Sequence, residues 1–162
     1  MKQTAIRKAF RDFLRKRDLK VTPQRRRIFE RAFETHAHFS AEEFYGWLRD
    51  EEGPRVSRAT VYRTLSLLVE GEFLAPLDTG RGELLYEHVL GHRHHDHIVC
   101  EECGRIEEFY EERIERLQEE VASKKGFELR HHSMRLFGTC AACRRRPAST
   151  PAEDQALEAR GR

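Results

Sequence analysis

The residues with the most chemical potential lie just past mid-chain, in the run His94-His95-Asp96-His97-Ile98-Val99-Cys100-Glu101-Glu102-Cys103. Imidazole and carboxylate groups here directly precede a Cys-x-x-Cys pair. Successive side chains on a β-strand point to opposite faces, so an extended run would direct His95 and His97 to one face. His94 and Asp96 would then point to the other face. One short strand could therefore supply two different metal sites, although a solvated, His-rich turn is the alternative.

The chain has four cysteines, arranged as two Cys-x-x-Cys pairs. The pairs are Cys100 with Cys103 and Cys140 with Cys143. In a reducing compartment such pairs indicate zinc thiolates rather than disulfides, and four thiolates complete the tetrahedral shell of one structural zinc. The long spacing between the pairs means that the metal would join the two ends of a subdomain. A redox role fits poorly, because no thioredoxin-like pattern surrounds either pair.

The net charge of +2 conceals a strong asymmetry along the chain. Residues 1–63 carry 16 Lys and Arg against 9 Asp and Glu, a net charge of +7, whereas residues 64–143 carry 9 against 16, a net charge of −7. This division favours a nucleic-acid-binding first half over an ordinary solvated surface. The sequence shows neither a membrane-spanning apolar run nor a signal-peptide core, so we expect a soluble, cytoplasmic protein.

Apolar periodicity and capping residues predict four helices in the first half. The first covers residues 5–18, and the fourth covers residues 58–70. Thr22-Pro23 predicts the start of the second helix, and Ser40 with Glu43 predicts the start of the third. Ser57 and Gly71 predict the start and the end of the fourth. Two strand-like runs at 73–77 and 83–87 then flank a Gly-containing turn, which indicates a hairpin. Helices followed by such a hairpin predict a winged helix-turn-helix.

The fourth predicted helix has two contrasting faces. Its apolar stripe consists of Val61, Leu65 and Leu68. The opposite face carries Ala59, Tyr62, Arg63 and Ser66. A recognition helix needs cationic groups for phosphates and an aromatic edge for thymine methyl groups. An exposed helix with Tyr and Arg can also be an ordinary solvated face, but the basic charge and the hairpin favour DNA binding.

The second half predicts a small α/β unit. We expect a strand over residues 105–109 and a helix over residues 111–125 with Ile114, Leu117 and Val121 facing inward. A further strand over residues 127–137 would need a bulge near residues 131–133, where its apolar parity changes. Beyond Cys143, the Arg-, Pro-, Ser- and Ala-rich composition predicts a disordered tail.

In order and spacing, the motifs resemble the ferric uptake regulator family of metal-responsive repressors. The similarity runs from about Lys20 to Cys143. It is carried by Leu19–Arg25, Ser40–Glu43, Ala59–Leu65, His95–Cys100 and Cys103-Gly104. The resemblance implies an α+β homodimer with a winged helix-turn-helix DNA-binding domain at 1–88. A small α/β dimerisation domain with the Cys₄ zinc site would cover 89–143, followed by the tail at 144–162.

The resemblance also implies three groups of functional residues beyond the cysteines. A regulatory metal site would use His38, Glu87, His95, His97 and Glu108. A second site would use His94, Asp96, Glu115 and His132. DNA contacts would come from Lys20 in the minor groove, Tyr62 on bases, Arg63 on phosphates, and Arg58. Competing candidates are His36 for His38, His131 for His132 and Glu107 for Glu108, while His88 and His92 are interpreted as solvated.

The implied function is repression of metal-uptake genes by a homodimer on an A/T-rich palindromic operator in double-stranded DNA. Fe²⁺ is the expected regulatory metal, because a glutamate rather than an aspartate at position 108 resembles the iron sensors of the family. In addition, the structural zinc would use all four cysteines and leave none for a zinc-sensing site. Zinc, manganese or peroxide sensing are the alternatives. An enzyme is not expected. His92-x-His94-x-Asp96-His97 matches the signature of metallo-β-lactamase-like hydrolases, but too little chain follows it for that fold. A zinc-stabilised interaction module is a third possibility.

Overall fold

A computed structural model describes residues 3–91 and 94–145 and divides the chain into two compact units, Met1–Arg93 and His94–Arg162. The first contains α1 (Gln3–Lys16), α2 (Pro23–Glu34), β1 (Phe39–Ser40), α3 (Ala41–Asp50), α4 (Arg58–Glu70), β2 (Leu74–Asp78) and β3 (Leu84–His88). The second contains β4 (Asp96–Cys100), β5 (Ile106–Phe109), α5 (Glu112–Lys124), β6 (Arg135–Gly138) and α6 (Ala141–Arg144). The predicted α+β class is confirmed. Most of the predicted tail, 146–162, lies outside the described residues.

Local capping explains where the helices of the first unit begin. The Thr22 hydroxyl accepts a hydrogen bond from the amide of Arg25, and Pro23 is the first helical residue of α2. Ser40 and Glu43 form the predicted reciprocal capping box at α3. Ser57 caps α4 by accepting a hydrogen bond from the amide of Thr60. Each cap stabilises its helix by about 1 kcal/mol.

The first unit packs its helices around a core that is continuous with a small antiparallel sheet of order β1-β3-β2. Phe10 stacks on Phe29 with ring centroids 4.2 Å apart, and Phe73 meets both rings edge-on. β2 and β3 form the predicted hairpin, each displaced by one residue from its predicted bounds. Strand β1 is too short to give a sequence signal and was not predicted. The unit is a winged helix.

The second unit is built on a sheet of order β5-β4-β6, in which β4 pairs antiparallel with β5 and parallel with β6. The predicted strand over residues 127–137 is wrong for most of its length, because only Arg135–Gly138 pairs with β4. The inward prediction is also wrong for Leu117 and Val121, which are 58% and 49% exposed. Among residues 94–145, the buried apolar side chains are Val99, Cys100 and Cys143, too few to cover that helix.

In the described ranges, no helix combines the length and apolar character needed to cross a bilayer.

Candidate metal centres and recognition helix

Strand β4 and the two residues before it separate the predicted ligands by face. The imidazole rings of His95 and His97 lie 5.0 Å apart. On the other face, His94 Nε2 lies 3.6 Å from Asp96 Oδ1. This is the alternation that an extended chain imposes, and it removes the solvated-turn alternative, since Asp96 and His97 are buried.

The end of β4, the turn after it and α6 bring the four cysteines into one cluster. Cys100 Sγ lies 3.9 Å from Cys143 Sγ, and Cys103 Sγ lies 3.8 Å from Cys140 Sγ. All four sulfurs lie within 4.8 Å of one another. A tetrahedral zinc with Zn–S bonds of ~2.3 Å spaces its sulfurs by ~3.8 Å, so the cluster has the dimensions of one closed zinc site. The spacing is far too long for disulfides.

The thiols of the cluster ionise unequally. Backbone amides of Cys103 and Cys140 donate hydrogen bonds to Cys100 and lower the pKa of its thiol to about 6. Hydrogen bonds of Cys143 with the sulfurs of Cys140 and Cys103 raise the pKa of the Cys143 thiol to about 12. Full ionisation of four adjacent thiols therefore requires a cation, and Zn²⁺ supplies the charge that these sulfurs need.

A second cluster in the same unit contains His94, Asp96, Glu115 and His132, with ligand atoms that all lie within 4.8 Å of one another. His132 Nε2 lies 3.4 Å from Glu115 Oε2 and 3.7 Å from Asp96 Oδ1. His94 Nε2 lies 3.6 Å from Glu115 Oε1. The competing His131 is exposed and lines a different surface with Val121 and Phe127. The geometry therefore favours His132 as the ligand.

Several polar atoms of this second cluster are buried without a hydrogen-bond partner. They are both carboxylate oxygens of Asp96, Glu115 Oε1 and His132 Nε2. Burying such groups is unfavourable unless something compensates them. Two carboxylates and two imidazoles form a donor set that suits a divalent cation such as Fe²⁺, Mn²⁺ or Zn²⁺.

In the first unit, the pairing of β1 with β3 brings His38 beside Glu87. The register sets Phe39 opposite Tyr86, so the residues next to them also face each other. His38 Nε2 lies 3.4 Å from Glu87 Oε2, and both side chains are mostly buried. These two groups could supply two ligands to a metal ion.

His36 and His88, the other two histidines near His38, contact each other. The ring of His36 lies 5.2 Å from that of His88, and His88 also packs on Phe33. His88 is 8% exposed, so its interpretation as solvated is wrong. It is covered because it ends strand β3 against helix α2. His92 lies outside the described residues.

In the second unit, β4 and β5 bring His95, His97 and Glu108 together. The register sets His97 opposite Glu108, and His95 Nε2 lies 3.8 Å from Glu108 Oε2. Glu107 instead pairs with Arg105 and sits opposite Ile98. Strand alternation thus separates the two adjacent glutamates, and Glu108 is the one on the histidine side.

Helix α4 has the two faces that its sequence predicts. Val61, Leu65 and Leu68 are fully buried. Tyr62 and Arg63 are exposed on the other side. Lys20 is exposed in the turn before α2, where its carbonyl accepts a hydrogen bond from the Arg25 guanidinium at 2.7 Å.

Sequence reasoning missed a carboxylate that contacts this exposed face. Glu42, identified only as part of the capping box, accepts a hydrogen bond from the Tyr62 hydroxyl at 2.8 Å. That bond is the main cause of a raised pKa for Tyr62. Glu42 also lies 3.1 Å from the Arg58 guanidinium. No local pattern could reveal these contacts, because the two partners lie 16 and 20 positions after Glu42 in the chain.

Comparison with known proteins agrees with this arrangement. The model of the ferric uptake regulator family matches residues 16–137. The ferric uptake regulation protein of Campylobacter jejuni is 37% identical over 140 residues, which cover 86% of this chain and 88% of the relative. The Helicobacter pylori ferric uptake regulator, described as having three functional metal-binding sites, superposes with a TM-score of 0.78 at 32% identity, over 90% of this chain and 95% of that one.

A further structure, the ferric uptake regulator of Pseudomonas aeruginosa with manganese, has a TM-score of 0.70 at 32% identity and covers 81% of this chain and 97% of its own. The winged helix and the grouped ligands define a metal-binding transcriptional regulator. The chain belongs to the ferric uptake regulator family. Members of this family bind DNA as dimers.

Proposed function

We propose that this chain is an Fe²⁺-dependent, DNA-binding repressor of metal-uptake genes that acts in the cytoplasm as a homodimer. One observation carries the proposal: each unit holds an incomplete set of imidazole and carboxylate ligands. The first unit offers His38 with Glu87, and the second offers His95 and His97 with Glu108. Neither set alone fills the coordination shell of a divalent metal.

We infer that one regulatory metal takes ligands from both sets. A metal bound in this way would restrict the winged helix to one orientation on its dimerisation unit. In a dimer, the two recognition helices would then be held at the separation of a palindromic operator. The metal shifts the conformational equilibrium because it binds one arrangement of the units better than the others.

The four cysteines serve a different purpose in this proposal. A closed thiolate site holds zinc tightly and stabilises the fold, whereas a site of nitrogen and oxygen ligands exchanges its metal. Cys100, Cys103, Cys140 and Cys143 would bind the structural zinc. His94, Asp96, Glu115 and His132 would bind a second divalent ion, for which the buried unpartnered oxygens of Asp96 are the main support.

Iron is the regulatory metal that we propose, with zinc, manganese and peroxide sensing as alternatives. All four cysteines of the chain fall in one cluster, so the regulatory ligands are imidazole and carboxylate. The named relative is a ferric uptake regulation protein. The Pseudomonas aeruginosa structure contains manganese, and a zinc-bound manganese uptake regulator is also similar, with a TM-score of 0.58 at 32% identity. Such ligand sets bind several divalent metals, so metal titration must decide.

On DNA, we propose that α4 enters the major groove of an A/T-rich palindromic operator. Tyr62 would present its ring to bases, Arg63 would contact phosphates, and Arg58 would lie beside them at the DNA surface. Lys20 would enter the minor groove. The exposed positions of these four side chains support this assignment, as does the excess of basic residues in the first half of the chain.

The hydrolase alternative receives no support from the same geometry. Its motif needs His94, Asp96 and His97 around neighbouring catalytic metals. Asp96 groups instead with Glu115 and His132, and His97 lies on the opposite face of β4 with His95. We propose that the chain acts as a regulator without enzymatic activity.

The proposal is tested by anoxic fluorescence anisotropy with a palindromic A/T-rich duplex. The zinc-loaded dimer, stripped of other metals, is compared at buffered free Fe²⁺, Mn²⁺ and Zn²⁺. We expect micromolar Fe²⁺ to switch binding on, and His97→Ala to abolish that response while retaining its fold. His131→Ala, which removes an exposed imidazole, should respond normally. A response to sub-nanomolar Zn²⁺ alone would identify a zinc sensor, and no response to any metal would disprove regulation by these ligands.

A further inference from the structure

The exposed face of α4 is restrained by one carboxylate of α3. Glu42 lies in the first turn of α3, and its two oxygens have different partners. Oε1 accepts the hydrogen bond of the Tyr62 hydroxyl at 2.8 Å, and Oε2 lies 3.1 Å from Nη2 of Arg58. Arg58 is also held over the ring of Tyr45, with its guanidinium carbon 5.5 Å from the ring centroid. A single side chain therefore orients two groups assigned to DNA.

The hydrogen bond leaves the aromatic part of Tyr62 available. The residue remains 43% exposed although its hydroxyl is engaged. An anion that accepts a hydrogen bond from the phenol hydroxyl stabilises the neutral phenol, and the pKa of Tyr62 is accordingly raised. A ring fixed at its hydroxyl end presents one edge in one direction, and preorganised groups discriminate better between ligands than mobile ones do.

The same carboxylate has an electrostatic disadvantage on a DNA-binding surface. A negative charge close to phosphates weakens binding of every sequence, and Arg58 paired with Glu42 has less charge to offer a phosphate. The pair is exposed, and exposed ion pairs stabilise a fold very little. The ion pair with Arg58 therefore gives little stability reason for a carboxylate at this position.

We propose that Glu42 is a positioning residue for base recognition: it aligns Tyr62 for the major groove and withholds Arg58 from phosphates. It thereby raises the preference for the operator and lowers the affinity for unrelated DNA. The inference depends on the proposed function of α4 as the recognition helix.

Two substitutions separate the two effects of Glu42. Glu42→Gln keeps an oxygen that accepts the Tyr62 hydrogen bond but removes the charge. Glu42→Ala removes both. Tyr62→Phe removes only the hydroxyl, and Glu52→Gln is the control, since it removes an exposed carboxylate from the turn at the far end of α3.

The measurement is anisotropy of the metal-loaded dimer on a duplex selected by the wild-type protein from a random A/T-rich pool. The affinity for that duplex divided by the affinity for a single-base-pair variant gives a discrimination ratio. The affinity measured over a range of salt concentrations gives a salt slope, which is the change in log affinity per unit change in log salt concentration. One mismatched base pair ordinarily weakens binding by roughly 5- to 150-fold. We expect Glu42→Ala to lower the discrimination ratio by about fivefold at the base pair that Tyr62 reads. In the same variant, each Arg58 that gains a phosphate contact should steepen the salt slope by about 0.9.

Glu42→Gln should keep the discrimination ratio of the wild type and show only the steeper salt slope. Tyr62→Phe should lose discrimination with the slope unchanged, and Glu42→Ala added to Tyr62→Phe should cause no further loss. Ultraviolet titration should also give a lower pKa for Tyr62 in Glu42→Ala than in the wild type. Glu52→Gln should match the wild type throughout.

Two results would overturn the proposal in distinguishable ways. If Tyr62→Ala loses discrimination and Glu42→Ala does not, Glu42 has no positioning role although α4 reads DNA. If Tyr62→Ala itself keeps full discrimination, the assignment of α4 fails and the inference fails with it. Thermal unfolding of each variant checks that the capping box of Ser40 and Glu43 still holds α3.

Discussion

Asp96 gives the strongest single-residue indication of a metal ion in the second unit. Its side chain is 1% exposed, and neither carboxylate oxygen has a hydrogen-bond donor. An uncompensated ion in a protein interior is destabilising by several kcal/mol. The sequence could identify Asp96 as a ligand candidate, but only the fold reveals that both of its oxygens are buried without a hydrogen-bond donor.

We expect Asp96→Asn to lose one divalent ion per protomer and to keep the zinc of the cysteine cluster, because an amide is a weaker ligand than a carboxylate. Elemental analysis of the protein after dialysis against buffered metal measures both. Glu112→Gln is the matched control, since it removes an exposed carboxylate from the first turn of α5. Unchanged metal content in Asp96→Asn would mean that this cluster holds no ion.

Arg27 shows how one residue can stabilise a junction between elements. Its Nη2 donates to the carbonyls of Leu48 and Glu51 at 2.8 and 2.9 Å, and its Nη1 donates to Pro54 at 2.7 Å. These carbonyls belong to the last turn of α3 and the loop after it, so the guanidinium joins α2 to the end of α3.

Arg27→Ala should lower the free energy of unfolding of the first unit by roughly 2 kcal/mol, because hydrogen bonds from a charged donor are among the stronger ones. Urea denaturation followed by circular dichroism measures the change. The neighbouring Arg26 is exposed, and Arg26→Ala should stay within about 0.5 kcal/mol of the wild type. Equal effects of the two variants would rule out a special role for the Arg27 contacts.

At the scale of elements, the helices were predictable because their signals are local. Thr22 with Pro23 and Ser40 with Glu43 each define a helix start within four residues. The apolar stripe of α4 could also be predicted, since helical periodicity appears in the sequence whichever elements the helix packs against. The alternation of side chains in β4 could be predicted for the same reason. That alternation also predicted the division of the ligands between two faces.

The strands depended on information that the sequence does not carry locally. β1 has two residues and exists because it pairs with β3, far along the chain. That pairing also brings His38 rather than His36 beside Glu87, a choice that composition left open. In β6 the alternating apolar residues extend beyond the paired segment, because strand length is set by hydrogen-bonding partners and not by side-chain pattern.

The cysteine cluster links the end of β4 to α6, so zinc should hold the sheet of the second unit together. We expect Cys140→Ser to release zinc and unfold this unit, because metal binding supplies roughly 10 kcal/mol or more in small zinc domains. Zinc content and near-ultraviolet circular dichroism measure the two effects. Ala142→Ser, an exposed change in the same short helix, should behave as the wild type. A folded, zinc-free Cys140→Ser dimer would disprove the Cys₄ assignment.

At the scale of the whole molecule, the two units differ in how much apolar surface each buries within one chain. The first unit has a continuous core that includes four helices and the sheet. The second leaves many large apolar side chains exposed, namely Ile98, Tyr110, Leu117, Val121, Phe127, Leu129, Leu136 and Phe137. An apolar surface of this extent marks an association site, and family members are dimers. An apolar stripe that packs against a second copy would explain the wrong inward prediction for α5.

We expect Val121→Asp to shift the protein from dimer to monomer, because a carboxylate buried at that contact would lack a partner. Sedimentation velocity measures the oligomeric state. Ser123→Asp is the matched control, since residues two apart on a helix point about 200° apart, and it should remain a dimer. Losing the dimer should also weaken operator binding by roughly 100-fold or more, because each half-site is then bound independently. A dimeric Val121→Asp would instead require another contact surface, and the exposed apolar side chains of the second unit would need a different partner.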